Sequence, residues 1–536
     1  MEHDLPINIW FWLIAAFPLI LLLVLLVWAR WSASEAGAVG FFAAVVTAMI
    51  FFLTPFETAA VAAAKGIWDA IFILYVVWPA ILLYQVTKQA GAFEAMRQGI
   101  QEHSRNRLFL VLAFGWIFAS FLQGIAGFGA PIAIVAPLLI GIGVNPIMAV
   151  VIPLIGHAWA NMFGTLAVGW FATTLVIDMQ NPPLTALYTG YMLWVPNLLS
   201  GFTICWLFAG WKGIKEGLWV VLIVSAIHGA GQTFLTQVNP TLSNFIPATV
   251  ALGAVFAFTR IPKYQERAVE ESPVMEEEEK EEETKEEPRM SLHAAFLPYY
   301  VLTVVSVVAL VIPAISQFLE QWEIGLPFPA VETGYGVARE AEVPYSPFAV
   351  FTHPGTFLLL ASLVGYLWFK SRGHYEQENT LGAIGAGTTG NAVPASVAIL
   401  GFLTMSKLMD HSGQTTVLAL GIAEVSPPIV YAGVANFIGI LGAFMTSSNT
   451  ASNVLFAPLQ QQTALALPGL TEAQVIASQS TGGAIGNAIA PANVALGTGT
   501  AGITGREGEV LRYTLVYAVI AGVLVGIMGI IFFLLF

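Results

Sequence analysis

Apolar runs long enough to cross a bilayer, about 20 residues each, recur along the whole chain, from 9–29 to 513–536. Hydrophobic residues make up 57% of the sequence and charged ones 10%. A soluble domain carries about 25% charged residues, so the fold class expected is an all-α polytopic membrane protein. Glu2 and Asp4 precede the first run, with no basic stretch ahead of it and no small-residue cleavage site behind it. It therefore reads as a spanning helix and not as a signal peptide. Several later runs are too short or too rich in glycine for simple crossings. The expectation is about 12–14 spans with broken helices and re-entrant hairpins.

Two interrupted segments occupy corresponding places in the two halves. The first is Gly124-Ile-Ala-Gly-Phe-Gly-Ala-Pro131, continuing to Ala136-Pro137-Leu138. The second is Ser447-Ser-Asn-Thr-Ala-Ser-Asn453, continuing to Ala457-Pro458-Leu459. At one fixed offset Ala130 meets Ala451 and Ala-Pro-Leu meets Ala-Pro-Leu. Paired broken helices of this kind point to the binding site of an inverted-repeat transporter.

Charge places the parts. Arg30, Lys88, Arg97, Arg105, Arg107, Lys212, Lys215, Arg260, Lys263, Lys370, Arg372, Arg506 and Arg512 mark basic ends of spans. The positive-inside rule puts these in the cytoplasm and the acidic N-terminus outside. The alternation closes if 107–178 makes three crossings, and 320–346 is then extracellular. Twelve acids between Glu266 and Glu287 account for most of the net charge of −13. That stretch lacks the apolar residues to build a core. The expected organisation is a first membrane half at 1–262, an acidic cytoplasmic linker at 263–290 and a second half at 291–536. The localisation expected is the cell (plasma or inner) membrane.

Broken helices survive in hydrocarbon only against protein or a water-filled cavity. A helix that starts there aims free N–H groups and a positive dipole end inward, which suits a carboxylate. Candidate substrate-binding residues are Gln123, Gly127, Phe128, Gly129, Ala130, Ser447, Ser448, Asn449, Thr450, Asn453, Gln479 and Asn487. Glycine and serine are also enriched where membrane helices pack, but two paired runs favour a site. A polar patch at 478–493 has its expected counterpart in Gly156-His-Ala-Trp-Ala-Asn161 with Phe163-Gly164.

Ionisable groups inside apolar spans are functional candidates by default. His157, Asp410 and Asp69 are the candidates for proton or ion coupling. His157 shares a helix face with Asn161; Lys407 and Asp410 can pair with each other, and Asp69 can equally be a scaffold anchor. His228 reads as a satisfied interhelical histidine, and the lone Cys205 as a small buried hydrophobe. There is no Walker A sequence, dinucleotide loop or Cys/His metal spacing. No enzyme activity, cofactor, metal or nucleic-acid partner is expected, and transport would run on an ion or substrate gradient. A channel or receptor is disfavoured, since neither a pore motif nor a soluble output domain is present.

Residues 121–146 resemble the acidic-Gly-Ala-Ala-Gly-Phe-Gly-Thr/Ala-Pro block of the lactate permease family. Residues 447–460 resemble its Gly-Ser-Asp/Asn-Thr-x-Ser-Asn-x-Leu-Phe block. Residues 478–512, with Gly502-Ile-Thr-Gly-Arg-Glu-Gly-Glu-Val-Leu-Arg512, resemble its C-terminal block. The resemblance covers the chain apart from the acidic linker. It implies a secondary transporter of lactate and related 2-hydroxymonocarboxylates such as glycolate, coupled to protons, built from inverted repeats and moving as an elevator. A homodimer follows by analogy with other elevator carriers. Three positions depart from the family pattern: Gln123 stands where Glu is common, Asn449 where Asp is common and Asn487 where Lys is common. An amide cannot carry a proton through the cycle. The alternative is therefore a Na⁺-coupled carrier of another small organic anion.

Overall fold

A computed structural model of the chain describes residues 4–266, 272–276 and 290–535. Most of the acidic linker, and any role for it, lies outside them. Among the described residues nine helices are long and apolar enough to cross a membrane, or eleven if two bent pairs each count as one span. This is fewer than 12–14 because several apolar runs wind into pieces too short to cross. Ala130–Ile140 has 11 residues, roughly 16 Å at 1.5 Å per residue, against a hydrocarbon core of about 30 Å. The helix that starts at Gln414 stops at Val425, and a new helix opens at Pro428 after Ser426-Pro427.

Two long helices, Phe56–Gln89 and Thr380–His411, pack against each other. Gly66 makes the contact possible, since a Cβ there would stand 2.6 Å from the Thr404 Cα; small residues let membrane helices approach this closely. Each long helix is followed by a left-handed glycine, Gly91 (φ 72°) or Gly413 (φ 84°), which opens a shorter helix, Ala92–Gln101 or Gln414–Val425.

A hairpin follows each short helix. The first climbs through Arg107–Ile125, breaks at 126–129 and returns as Ala130–Ile140. Phe128 (φ 56°) and Gly129 (φ 84°) turn the chain, and Pro131 sits in the first turn of the new helix, where its missing N–H costs nothing. Before the hairpin, Arg97 approaches Gly141 at its far end. Ser104 Oγ donates to the Tyr264 carbonyl at 2.5 Å, and Asn145 N–H donates to Val274 at 2.9 Å. Entry and return of the hairpin therefore both lie beside the described residues of the linker. The second hairpin runs Pro428–Thr446, turns at Ser447 (φ 55°) and returns as Asn449–Ala466.

Beyond each hairpin stands a helix broken by a 3₁₀ turn. Pro146–Ala158 passes through Trp159–Asn161 into Gly164–Val176, with a 49° bend. Glu472–Gly486 passes through Asn487–Ile489 into Pro491–Thr500. The four β-strands among the described residues form a flap in the region expected to be extracellular. Strand Glu323–Phe328 pairs antiparallel with Glu342–Ala349, and Val331–Glu332 with Ala338–Arg339. Phe328, Val331 and Tyr345 seat it on Val61 and Trp68.

Candidate functional site

The tips of both hairpins and the breaks of both bent helices meet around one cavity of about 60 Å³. From the first hairpin come Gln123, Gly127, Phe128 and Gly129; from the second, Ser447, Ser448, Asn449 and Thr450. His157, Asn161, Gly164, Thr165 and Val168 line it from one bent helix, and Asn487 and Asn493 from the other. No carboxylate is among these residues, and His157 is their one titratable side chain.

Local chemistry fixes each tip. Thr165 Oγ1 accepts the Gly127 N–H at 2.9 Å, which ties the first tip to the bent helix beside it. Thr165, Leu166 and Ala167 all hold left-handed φ values of 49°, 54° and 69°, and the Gln123 side chain packs against Gly164. Ser448 caps the returning helix of the second hairpin, accepting the Ala451 N–H at 3.2 Å. Ser447 Oγ accepts the Ala492 N–H at 3.2 Å, where the helix Pro491–Thr500 begins. Three helix N-termini thus crowd one small volume, each a natural place for negative charge.

His157 Nδ1 lies 2.5 Å from the Pro153 carbonyl. A carbonyl can only accept, so Nδ1 carries a hydrogen and Nε2 is the position left to gain or lose a proton. Asn449 Oδ1 is buried without a partner among the described residues. Its amide and that of Asn453 point at the Met162 sulfur, at 3.9 and 3.2 Å.

Asn453 and Gln479 do not line the cavity. They belong to a buried network behind it, in which Gln479 Nε2 reaches Ser452 Oγ at 3.2 Å and Asn453 Oδ1 at 3.4 Å. Gln460 Nε2 donates to Gln479 Oε1 at 3.0 Å, and Tyr431 donates to Gln460 at 2.6 Å. Ala130 lines a neighbouring cavity. Thr165, Val168 and Met162 were missed; the sequence signal stopped at Phe163-Gly164, one residue short of Thr165.

Asp69 and Asp410 stand elsewhere, under the β flap. Asp69 is fully buried, 3.2 Å from Lys407 Nζ, and accepts the Tyr345 hydroxyl at 2.8 Å. Lys407 also donates to the Leu175 carbonyl. Asp410 pairs with Arg339 at 2.8 Å, so Lys407 and Asp410 do not pair with each other. Lys65 takes Glu342 of the flap at 2.7 Å. His228 packs edge-on to Trp159 at 4.5 Å, and its Nε2 lacks among the described residues the partner expected of a satisfied histidine.

A cavity inside a multi-pass helical body, walled by broken helices from both halves, is the construction of a membrane transport protein. The family model for L-lactate permease matches residues 12–536, and the chain belongs to that family. The L-lactate permease of Salmonella typhi is 26% identical, with 98% of this chain and 96% of that protein covered. The glycolate permease GlcA of Escherichia coli (strain K12) is also 26% identical, over 96% and 94%. Among solved structures, the YdaH transporter of Alcanivorax borkumensis aligns with a TM-score of 0.41 at 14% identity, over 84% of each chain.

Proposed function

We propose that this protein imports lactate or a related 2-hydroxymonocarboxylate, such as glycolate, by proton symport. The convergence of both hairpin tips on one cavity carries the reading, and the names of the relatives supply the substrate class. The substrate carboxylate rests on the helix N-termini at Gly129–Ala130 and Ser448–Thr450, and its 2-hydroxyl is read by Asn449 and Asn487. Gln479 steadies the helix that carries Asn449 from behind, through Ser452 and Asn453.

A bare carboxylate is costly to bury without a counter-charge, and the cavity lining offers no fixed cation. A proton taken up with the substrate removes that cost, and His157 is the lining group able to hold it. Asp69 and Asp410 have salt-bridge partners already, which makes them anchors in this reading. The two halves, 1–262 and 291–536, act as inverted repeats joined by a cytoplasmic linker. The recurring order of long helix, left-handed glycine, short helix, hairpin and broken helix supports this. The hairpins and broken helices move as an elevator against the long helices, in a homodimer in the cell membrane.

The test is uptake of labelled L-lactate and glycolate into proteoliposomes, with proton and sodium gradients imposed separately. Proton-driven uptake is expected; equal uptake with and without a proton gradient removes the coupling. One observation favours a second reading. The unpartnered Asn449 Oδ1 and the neighbouring hydroxyls form an oxygen-rich wall suited to Na⁺, and full transport in sodium-free buffer ends that alternative.

A further inference from the structure

A second cavity, of about 190 Å³, abuts the first and shares Gly127, Phe128 and Gly129 with it. Its far wall belongs to the two long helices and presents Tyr84, Gln85, Lys88 and Asn391, while Leu496 and Thr500 close one side. Phe128 stands between the two spaces, held by a left-handed backbone and 40% exposed. Lys88 is the one lysine or arginine lining either cavity. Its ammonium lies 5.7 Å over the Tyr84 ring and has no carboxylate partner among the described residues. A cation in the last turn of a helix is favoured by the helix dipole. That accounts for a positive charge at Lys88, but not for its place in a cavity that borders the binding site.

We propose that this second cavity is a staging site for the substrate carboxylate, between the binding cavity and the cytoplasmic side, with Lys88 as its cation. This rests on the function proposed above. The binding cavity holds the anion without a fixed positive charge, so once the proton has left His157 the cation that the carboxylate meets along this path is Lys88. Tyr84, Gln85, Asn391 and Thr500 offer hydrogen bonds around it, and the Phe128 ring is the partition it passes.

The experiment is L-lactate exchange in proteoliposomes, which needs no driving ion and so isolates passage from coupling. Lys88→Gln and Lys88→Cys should slow exchange about tenfold, the loss of one charge-assisted contact, with unfolding temperature unchanged. Lys88→Arg should retain exchange. Cys205 is buried, so 2-aminoethyl methanethiosulfonate will act at Lys88→Cys and restore the rate by restoring an amine, while a neutral methyl reagent will not. Exchange at the native rate in Lys88→Gln overturns the proposal. A second readout needs no substrate: in an Asn391→Cys chain, an anionic sulfonatoethyl reagent should label about tenfold faster with Lys88 present than with Lys88→Gln added. Equal labelling also overturns it. Failure of the unmodified protein to exchange lactate or glycolate counts instead against the proposed function.

Discussion

The carboxylate of Asp69 and the ammonium of Lys407 meet at 3.2 Å and join the two long helices beneath the β flap. Breaking a buried pair from one side leaves the other charge stranded, at a cost of about 3–5 kcal/mol. Asp69→Asn and Lys407→Met should each lower the unfolding temperature markedly, and the double Asp69→Leu/Lys407→Met should recover most of the loss. Transport per folded molecule should keep its pH profile in Asp69→Asn. A shifted profile would return Asp69 to the coupling path.

His157→Gln separates coupling from passage. The glutamine can still donate toward the Pro153 carbonyl but cannot cycle a proton. Lactate exchange should persist within a few fold, while stimulation of uptake by an inward proton gradient disappears. Intact stimulation in this variant would move the proton to another group.

Much of the site was legible because its tips need residues that interrupt an apolar run. Gly127, Gly129 and Pro131 in one hairpin, and Ser447 to Asn453 in the other, stand out against leucine and valine for the same physical reason that the helix must break there. Thr165 was not legible. Its left-handed turn uses Thr, Leu and Ala where glycine would have announced a positive φ. Met162 looks like any core side chain, and only the fold brings its sulfur to the Asn453 amide. The flap escaped notice because Pro327, Pro344 and Pro347 interrupt its two longer strands, where proline argues against a strand, and the partners of Asp69, Lys407 and Asp410 are distant in sequence. That is why i, i+3 spacing suggested Lys407–Asp410 in place of Lys407–Asp69.

Asn449→Asp places the commoner family residue at the cavity wall. Asn449 Oδ1 has no partner among the described residues and the amide makes only a long contact with Met162, so folding should be little affected where the new carboxyl is held neutral. It adds a second protonatable group beside the substrate, so the uptake–pH curve should gain an inflection absent from the native protein. An unchanged curve, measured on protein of native unfolding temperature, would put Asn449 away from the coupling path.

Thr165→Val tests whether the first hairpin tip is held or merely packed. Valine keeps the branched shape at Thr165 but withdraws the oxygen that accepts the Gly127 N–H. A buried N–H left without a partner costs about 1–3 kcal/mol. Gly127 lies in the break at 126–129, outside the helices on either side, so that cost falls on the tip. The expected outcome is a small drop in unfolding temperature without substrate and a larger one with lactate present, since ligand stabilisation follows affinity. The half-saturation concentration for uptake should rise about tenfold with little change in maximal rate. Thr165→Ser, which keeps the hydroxyl and drops the methyl, should stay near native. If Thr165→Ser fails as badly as Thr165→Val, it is methyl packing and not the hydrogen bond that positions Gly127.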